Sequence, residues 1–323
     1  MFLAKRKVKG TQYYYLEEMA KQKRISVFIG NKENLNKNIA NAFEEVKRKT
    51  ILEQAQTTFK KFKPKTLSVL ELIELETLKY NYQLFKTFFS ESFSSFDEDE
   101  FVRYAQGSTS VEGNSVSLQE ASIILTKNAS SSGKNIDEIK EVQNMKKTQQ
   151  VSEKKPKITE RLLKKIHAVI MDGFPDKGPG RYRSGPMFIT GSKIRPPNAE
   201  TAVKEAKKLM DWFKENKEKM HPVELAAVFH VKFEEIHPFS DGNGRTGREI
   251  MNLILQEKGY PRTIINLENR ESYIILLERL QLSKQYIQFS KFIYTCLQKR
   301  AQEIQLAIEE NKQEIFKQLM KKK

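Results

Sequence analysis

The chain has 323 residues, 38 % apolar and 30 % charged, enough to bury one large or two modest cores. No run of 18 apolar residues occurs, which excludes a helical membrane span; the basic opening MFLAKRKVKG lacks the apolar stretch of a secretory signal, and a lone Cys296 permits no intrachain disulfide, so the cytoplasm is the expected location. The formal charge of +16 admits a nucleic-acid partner, but the basic residues are spread along the chain and interleaved with glutamates, so a solvated surface that attracts nucleotides is the favoured meaning.

Residues 11–29 hold two short β-prone runs around a polar turn, punctuated by Gly10 and Gly30. They predict a small hairpin or three-stranded meander that must pack on something else. From Leu35 the pattern is helical to about Phe62, where Pro64 ends it. A second helix, with Leu67, Leu70, Ile73, Leu75 and Leu78 among its apolar positions, runs towards Phe89. Phe85, Phe88, Phe89, Phe93 and Phe96 read as packing residues rather than a base-stacking surface. The next segment, FVRYAQGSTSVEGNSVSLQEASIIL, breaks at Gly107 and again at Gly113-Asn114, and Ser117 with Glu120 forms a capping box for the following helix.

Residues 127–160 predict a loop containing NASSSG, a helix centred on Ile136–Met145, and a second loop before a helix at 160–171. The stretch GFPDKGPGRYRSGPMFITGSKIRPP, with β-prone Met187, Phe188 and Ile189, predicts an irregular hairpin or flap inside a helical protein. Past Pro197 everything reads helical: 199–217, a helix opened by His221-Pro222, and a helix over 245–258 closed by Gly259 and Pro261. One or two long helices follow over 271–320, their basic tail from Lys284 serving for packing or capping in preference to partner binding. The chain thus divides into a β element (1–32), a helical region (33–95), a core (96–280) and a basic helical tail (281–323).

Residues 237–248, HPFSDGNGRTGR, interrupt two helical runs with three glycines and a histidine. Glycines let consecutive amides point to one side, and a helix starting near Arg245 would turn its free N–H groups and dipole end to the same place. Asn243, Arg245 and Arg248 can supply further donors, so the site suits a chain of phosphates. Asp241 beside phosphates suits Mg²⁺, a hard cation that takes oxygen ligands. His237 carries an imidazole able to accept a proton near neutrality. Together these give phosphoryl or nucleotidyl transfer to a hydroxyl. A lone GNG would be only a turn; His221 and His230 read as structural, and His167 as a surface or packing residue. Neither a zinc pattern nor a P-loop occurs.

At these residues the sequence resembles the Fic domain family of protein-modifying transferases, whose signature H-P-F-x-[D/E]-G-N-G-R-x-x-R is matched without a gap. The flanking FHVKFEEI and EIMNLILQEKGYP are similar to the helices beside that signature, and the resemblance spans roughly residues 95–280. It implies a mainly α fold with a β-hairpin flap, here preceded by the small β element and long helices. The activity it implies is Mg²⁺-dependent transfer of AMP from ATP to a Ser, Thr or Tyr hydroxyl of a protein, which can be the chain itself, with release of pyrophosphate. By the same resemblance His237 is the base and Asp241 the Mg²⁺ ligand. Gly242, Asn243 and Gly244 form the anion hole, Arg245 with Gly247 in its helix turn belongs to the phosphate site, and Arg248 meets the γ-phosphate. The segment around Met187, Phe188 and Ile189 would grip the target peptide.

Ser108-Thr-Ser-Val-Glu112-Gly113 fits the [S/T]-x-x-x-E-[G/N] pattern of members with an N-terminal inhibitory helix. Glu112 paired with Arg248 would withhold the arginine from the γ-phosphate. The sequence departs from the family where adenine is held: Tyr273 is present, but Ile274 replaces a second Tyr, Gln281 stands at an Asn position, and a following Gly-Asp is absent. Transfer of another phosphate-containing group, removal of AMP with Glu112 positioning a water, and a catalytically quiet nucleic-acid-associated module are the alternatives. The resemblance leaves a homo-oligomer open and implies no membrane partner.

Overall fold

The structure is a computed structural model that describes residues 1–127, 129, 133–154 and 156–321. Most of the expected NASSSG loop and the last two lysines of the basic tail lie outside the described residues. The chain is mainly helical behind a small sheet, and divides into two compact units: 1–93 with 298–323, and 94–297.

In the first unit β1 (Phe2–Val8), β2 (Thr11–Ala20) and β3 (Lys23–Gly30) form an antiparallel meander with Leu16 opposite Leu3 and Val27. The expected meander therefore holds all three of its strands. One face, carrying Leu16, Ile25, Val27 and Ile29, is buried, and α1 (Leu35–Phe62) packs on β2 and β3. α2 (Val69–Phe88) opens with a full capping box of Ser68 and Glu71, and its Phe85 and Phe88 are buried. Phe316 meets Phe43 of α1 at 5.4 Å between ring centroids, so the tail is packed by its apolar stripe.

The helix α3 (Ser90–Ser110) does not break at Gly107. Its glycine answers a close approach instead: a Cβ there would lie 2.6 Å from the main-chain oxygen of Ile265. The chain turns only after Ser110, and Ser117 with Glu120 opens α4 (Leu118–Lys127) as the sequence indicates. α5 (Ile136–Ser152) and α6 (Glu160–Ile170) follow, then α7 (Ala199–Asn216), α8 (Pro222–Ile236) and α9 (Asn243–Glu257). Phe101, Tyr104, Ala121, Ile124, Val142 and Met145 form one core cluster of α3, α4 and α5. Glu249 of α9 joins that cluster by accepting from Tyr104 Oη at 2.7 Å and Ser152 Oγ at 2.6 Å.

Two expectations need correction. The β-prone Met187–Ile189 forms no strand among the described residues, because no second segment lies alongside to complete a ladder. Residues 271–320 are three helices, α10 (Arg270–Ser283), α11 (Phe289–Glu310) and α12 (Lys312–Lys321). Lys284, in the left-handed region at φ 57°, ends the first of them.

Candidate active site

α8 is apolar around most of its circumference and buried accordingly. It ends at His237, held in the left-handed conformation at φ 48° with its N–H bonded to Phe233 O at 3.0 Å. A residue other than glycine stays there only when its surroundings impose it. Arg183 does so: its Nε donates to His237 O at 2.8 Å and its main-chain N–H to Pro238 O at 3.0 Å. His237 Nδ1 lies 3.3 Å from Glu234 O. A proton on Nδ1 satisfies that contact and leaves Nε2 with its lone pair. Burial lowers the ring's pKa, so the imidazole is neutral at neutral pH.

The loop after His237 is braced from within. Asn243 Oδ1 accepts from Phe239 N at 2.9 Å and its Nδ2 donates to Phe239 O at 3.0 Å. Its side chain is thus engaged in the loop, and what it offers an anion is its main-chain N–H. His167, expected at the surface or in packing, is fully buried beneath the loop. Its Nε2 donates to Asp241 O at 2.9 Å, its Nδ1 accepts from Gly180 N at 2.9 Å, and its ring stacks on Phe239 at 3.7 Å. Burial drives its pKa down to about 4, consistent with the neutral tautomer those contacts require.

Gly242, at φ 70°, is the N-cap of α9, and no side chain caps the helix. The first-turn amides therefore face the loop with the positive end of the helix dipole behind them. Asp241 sits at their rim, its Oδ1 accepting from Gly242 N at 2.6 Å, with Lys177 Nζ 3.2 Å and Arg245 Nη2 3.4 Å away. Partial burial raises its pKa, but Arg245, the Gly242 amide and Lys177 outweigh this and keep it ionised. Among the described residues no three His, Cys, Asp or Glu side chains converge as a metal cage. A single ionised, half-buried carboxylate beside a phosphate nest fits Mg²⁺, which is commonly held by one or two carboxylates plus substrate phosphates.

Arg245 is buried and spans Glu141, at 2.8 Å, and Asp241. Arg248 is buried more completely. Its Nε donates to Ser108 Oγ at 3.0 Å, Nη2 to Ser108 O at 2.8 Å and to Glu112 Oε1 at 2.7 Å, and Nη1 to Tyr273 Oη at 3.3 Å. Gly244 makes room for this: a Cβ there would stand 2.1 Å from Glu112 Oε1. Arg270 Nε fixes the turn before Glu112 by donating to Val111 O at 2.7 Å. Burial raises the Glu112 pKa, yet Arg248 more than compensates and the carboxylate is ionised.

Beneath the arginine lie groups that the motif did not announce. His230 Nε2 is 2.9 Å from Tyr273 Oη, and burial with Arg248 nearby lowers its pKa to about 3. Glu234 is buried with Oε1 lacking a hydrogen-bond partner, 2.6 Å from where a Cβ on Gly247 would sit. Burial pushes its pKa up to about 8, opposed by Arg248 and assisted by Glu112. Tyr273, in line with the family's adenine-holding tyrosines, is instead buried under Arg248; Gln281 is buried with Nε2 on Val231 O, and Ile274 is 41 % exposed.

The motif thus brings together His237, Asp241, the start of α9 and Arg248, with Glu112 arriving from the end of α3. Residues 157–255 match the Fic/DOC family. A "Protein adenylyltransferase Fic" of Nematostella vectensis is 32 % identical over 182 residues, covering 54 % of this chain and 42 % of that relative. The chain thus matches about two fifths of that relative's length. A Fic family protein from Desulfovibrio desulfuricans G20 superposes with a TM-score of 0.65 at 26 % identity, covering 77 % of each chain. A Fic domain containing signaling protein from Bacteroides thetaiotaomicron gives 0.65 at 22 % identity, over 73 % of this chain and 96 % of that one, a likeness of fold.

The loop carrying Met187, Phe188 and Ile189 is tied to the motif at its base. Arg183 donates to Gly185 O at 2.8 Å and to Pro197 O, while Glu278 accepts from Ser192 Oγ at 2.7 Å and Lys193 N at 2.8 Å. Phe188 at its tip is 72 % exposed. From the sequence His167 had only a surface or packing role and Arg183 only a place at the start of the flap, and neither Glu234 nor Glu249 was singled out.

Proposed function

We propose that the chain is a protein adenylyltransferase that moves AMP from ATP to a Ser, Thr or Tyr hydroxyl of a protein, itself included, and that Glu112 restrains it by holding Arg248. In this scheme Nε2 of His237 takes the proton of the attacking hydroxyl. The amides of Gly242, Asn243 and Gly244 hold the phosphate oxygens where negative charge builds. Asp241 would hold Mg²⁺, which supplies charge neutralisation of the phosphates when bound. Arg245 keeps Asp241 oriented and adds its charge, and the turn at Gly247 sets Arg248 facing the place of the γ-phosphate. Met187, Phe188 and Ile189 would guide the target peptide.

The observation that carries the proposal is the 2.7 Å contact of Glu112 with Arg248. It occupies the buried guanidinium proposed to meet the γ-phosphate. A misplacement of about 1 Å can cost on the order of 100-fold in rate, so an arginine held away from ATP suffices as restraint. The exposed Ile274 and the buried Tyr273 and Gln281 leave another phosphate-containing group as the second reading for what is transferred. Intact-mass analysis of Glu112→Gly after incubation with each of the four nucleoside triphosphates and Mg²⁺ tests both. A gain of one AMP from ATP, absent in the same variant carrying His237→Ala, is expected. A gain from another nucleotide alone supports the second reading, and no gain from any of them rejects both.

A further inference from the structure

The sheet of the first unit presents a face that the transferase chemistry does not use. Its inner face is buried, but on the outer face Phe2, Val8, Met19 and Phe28 are 42 %, 49 %, 46 % and 55 % exposed. Strand alternation places them there together with Tyr13, Tyr15 and Arg6. Phe28 lies between the two tyrosines, 5.8 Å from Tyr13 and 5.3 Å from Tyr15 between ring centroids. The Arg6 guanidinium stands 4.3 Å over the Tyr15 ring. The aromatic cluster thus spans β2 and β3, and β1 adds the Arg6 guanidinium.

The strands that carry it are net basic. Residues 1–30 contain Lys5, Arg6, Lys7, Lys9, Lys21, Lys23 and Arg24 against only Glu17 and Glu18. Glu17, the carboxylate of the outer face, is buried and neutralised: Arg6 pairs with it, Arg24 Nη1 lies 3.7 Å away, and Ser26 Oγ donates to it at 3.0 Å. Lys9 in the β1–β2 turn and Arg24 on β3 place cations at the rim of this face, while Lys21 and Lys23 turn to α1 through Thr58 and Glu53. Scattered exposed apolar residues are ordinary on a protein surface. A contiguous aromatic cluster with a stacked arginine and a cationic rim is not, and matches the make-up of a base-stacking platform.

We propose that this outer sheet face binds single-stranded nucleic acid. Bases stack on Phe28, Tyr15 and Tyr13, each presenting a ring, and the phosphates run past Arg6, Lys9 and Arg24, the cations of this face and its β1–β2 turn. Duplexes, whose bases are already stacked on one another, lack the free faces these rings require. The dispersed charge that argued against nucleic acid in the sequence does not bear on this patch, where rings and cations are local.

Fluorescence anisotropy of the full chain with a labelled twelve-nucleotide oligouridylate, an oligothymidylate and a twelve-pair duplex tests the assignment. Single strands should bind at least tenfold more tightly than the duplex, with affinity falling as salt rises. Phe28→Ala should weaken binding about tenfold, Phe28→Tyr should restore it, and Lys9→Gln with Arg24→Gln should weaken it for both sequences alike. Phe28 is more than half exposed, so the variants should melt with the parent, which circular dichroism checks. Equal affinity for duplex and single strand, unmoved by Phe28→Ala, would reduce the effect to bulk charge and overturn the proposal. So would the absence of binding at low salt, or displacement of the label by poly-glutamate as readily as by unlabelled oligouridylate, which would assign the face to acidic polypeptides.

Discussion

His167 holds the main-chain oxygen of Asp241 from below, 2.9 Å from its Nε2, while its ring lies parallel to Phe239. The loop that carries the proposed metal ligand therefore rests on an imidazole from α6. Replacing it leaves a buried carbonyl without a donor and a void under Phe239. His167→Ala should cost roughly 2–4 kcal/mol of stability and lower AMP transfer by more than tenfold in the Glu112→Gly background. Denaturant unfolding and a transfer assay measure the two. Unchanged transfer would show that the loop keeps its shape without the ring.

His237 is neutral at neutral pH because burial lowers its pKa. A base loses activity as it is protonated, so kcat in Glu112→Gly should hold from pH 7 downward and fall only below the ordinary imidazole value of about 6.5. His237→Ala should abolish transfer while calorimetry still detects ATP. An acid limb above 6.5, or residual transfer beyond about a tenth of the parent, would remove the ring from the role of base.

Asp241→Ala should remove both the Mg²⁺ requirement and most of the rate. It also frees Lys177 and Arg245 from their shared anion, so nucleotide binding without Mg²⁺ should be retained or strengthened. Titrations of ATP with and without the metal separate the effects. Full activity with the same metal requirement would place the ligand elsewhere.

Glu234 gives a stability signature. Its pKa is pushed up to about 8, so the folded chain holds a proton there that the unfolded chain releases above about 4.5. The stabilisation is complete below the unfolded value and is lost as pH rises towards 8, at up to about 1.4 kcal/mol per pH unit. Glu234→Gln should flatten the decline in melting temperature between pH 5 and 8. Parallel profiles for parent and variant would mean that the carboxyl is ionised in the fold.

The loop at Met187–Ile189 is proposed to guide the target peptide and not the nucleotide. Deleting its tip should reduce modification of a protein target more than ATP binding, since its anchors, Arg183 and Glu278, lie at its base. Equal losses in both would contradict a peptide-guiding role.

Helix boundaries were legible wherever a local device marks them: Pro64 after α1, Ser117 with Glu120 before α4, Pro222 opening α8. The pairing of Glu112 with Arg248 was legible because two linear patterns each flagged one partner. What sequence could not convey were contacts made only by folding. Gly107 reads as a breaker because its neighbour Ile265 is far along the chain. His167 looks like an ordinary helix residue until α6 is laid under the motif. Glu234 follows a helical apolar pattern without announcing that Arg248 lies near it, and β-prone MFIT lacks a partner that no local signal reports.

The central claim is that Glu112 restrains transfer by holding Arg248, and the two residues share one network, so their effects should not add. AMP incorporation from labelled ATP, measured with the parent, Glu112→Gly, Arg248→Ala and the double variant, tests it most directly, with melting temperatures recorded alongside. Glu112→Gly is expected to raise incorporation at least tenfold, Arg248→Ala to remain low, and the double variant to remain as low as Arg248→Ala. A Glu112→Gly protein that is less stable but no more active, or activation that survives undiminished in the double variant, would contradict it.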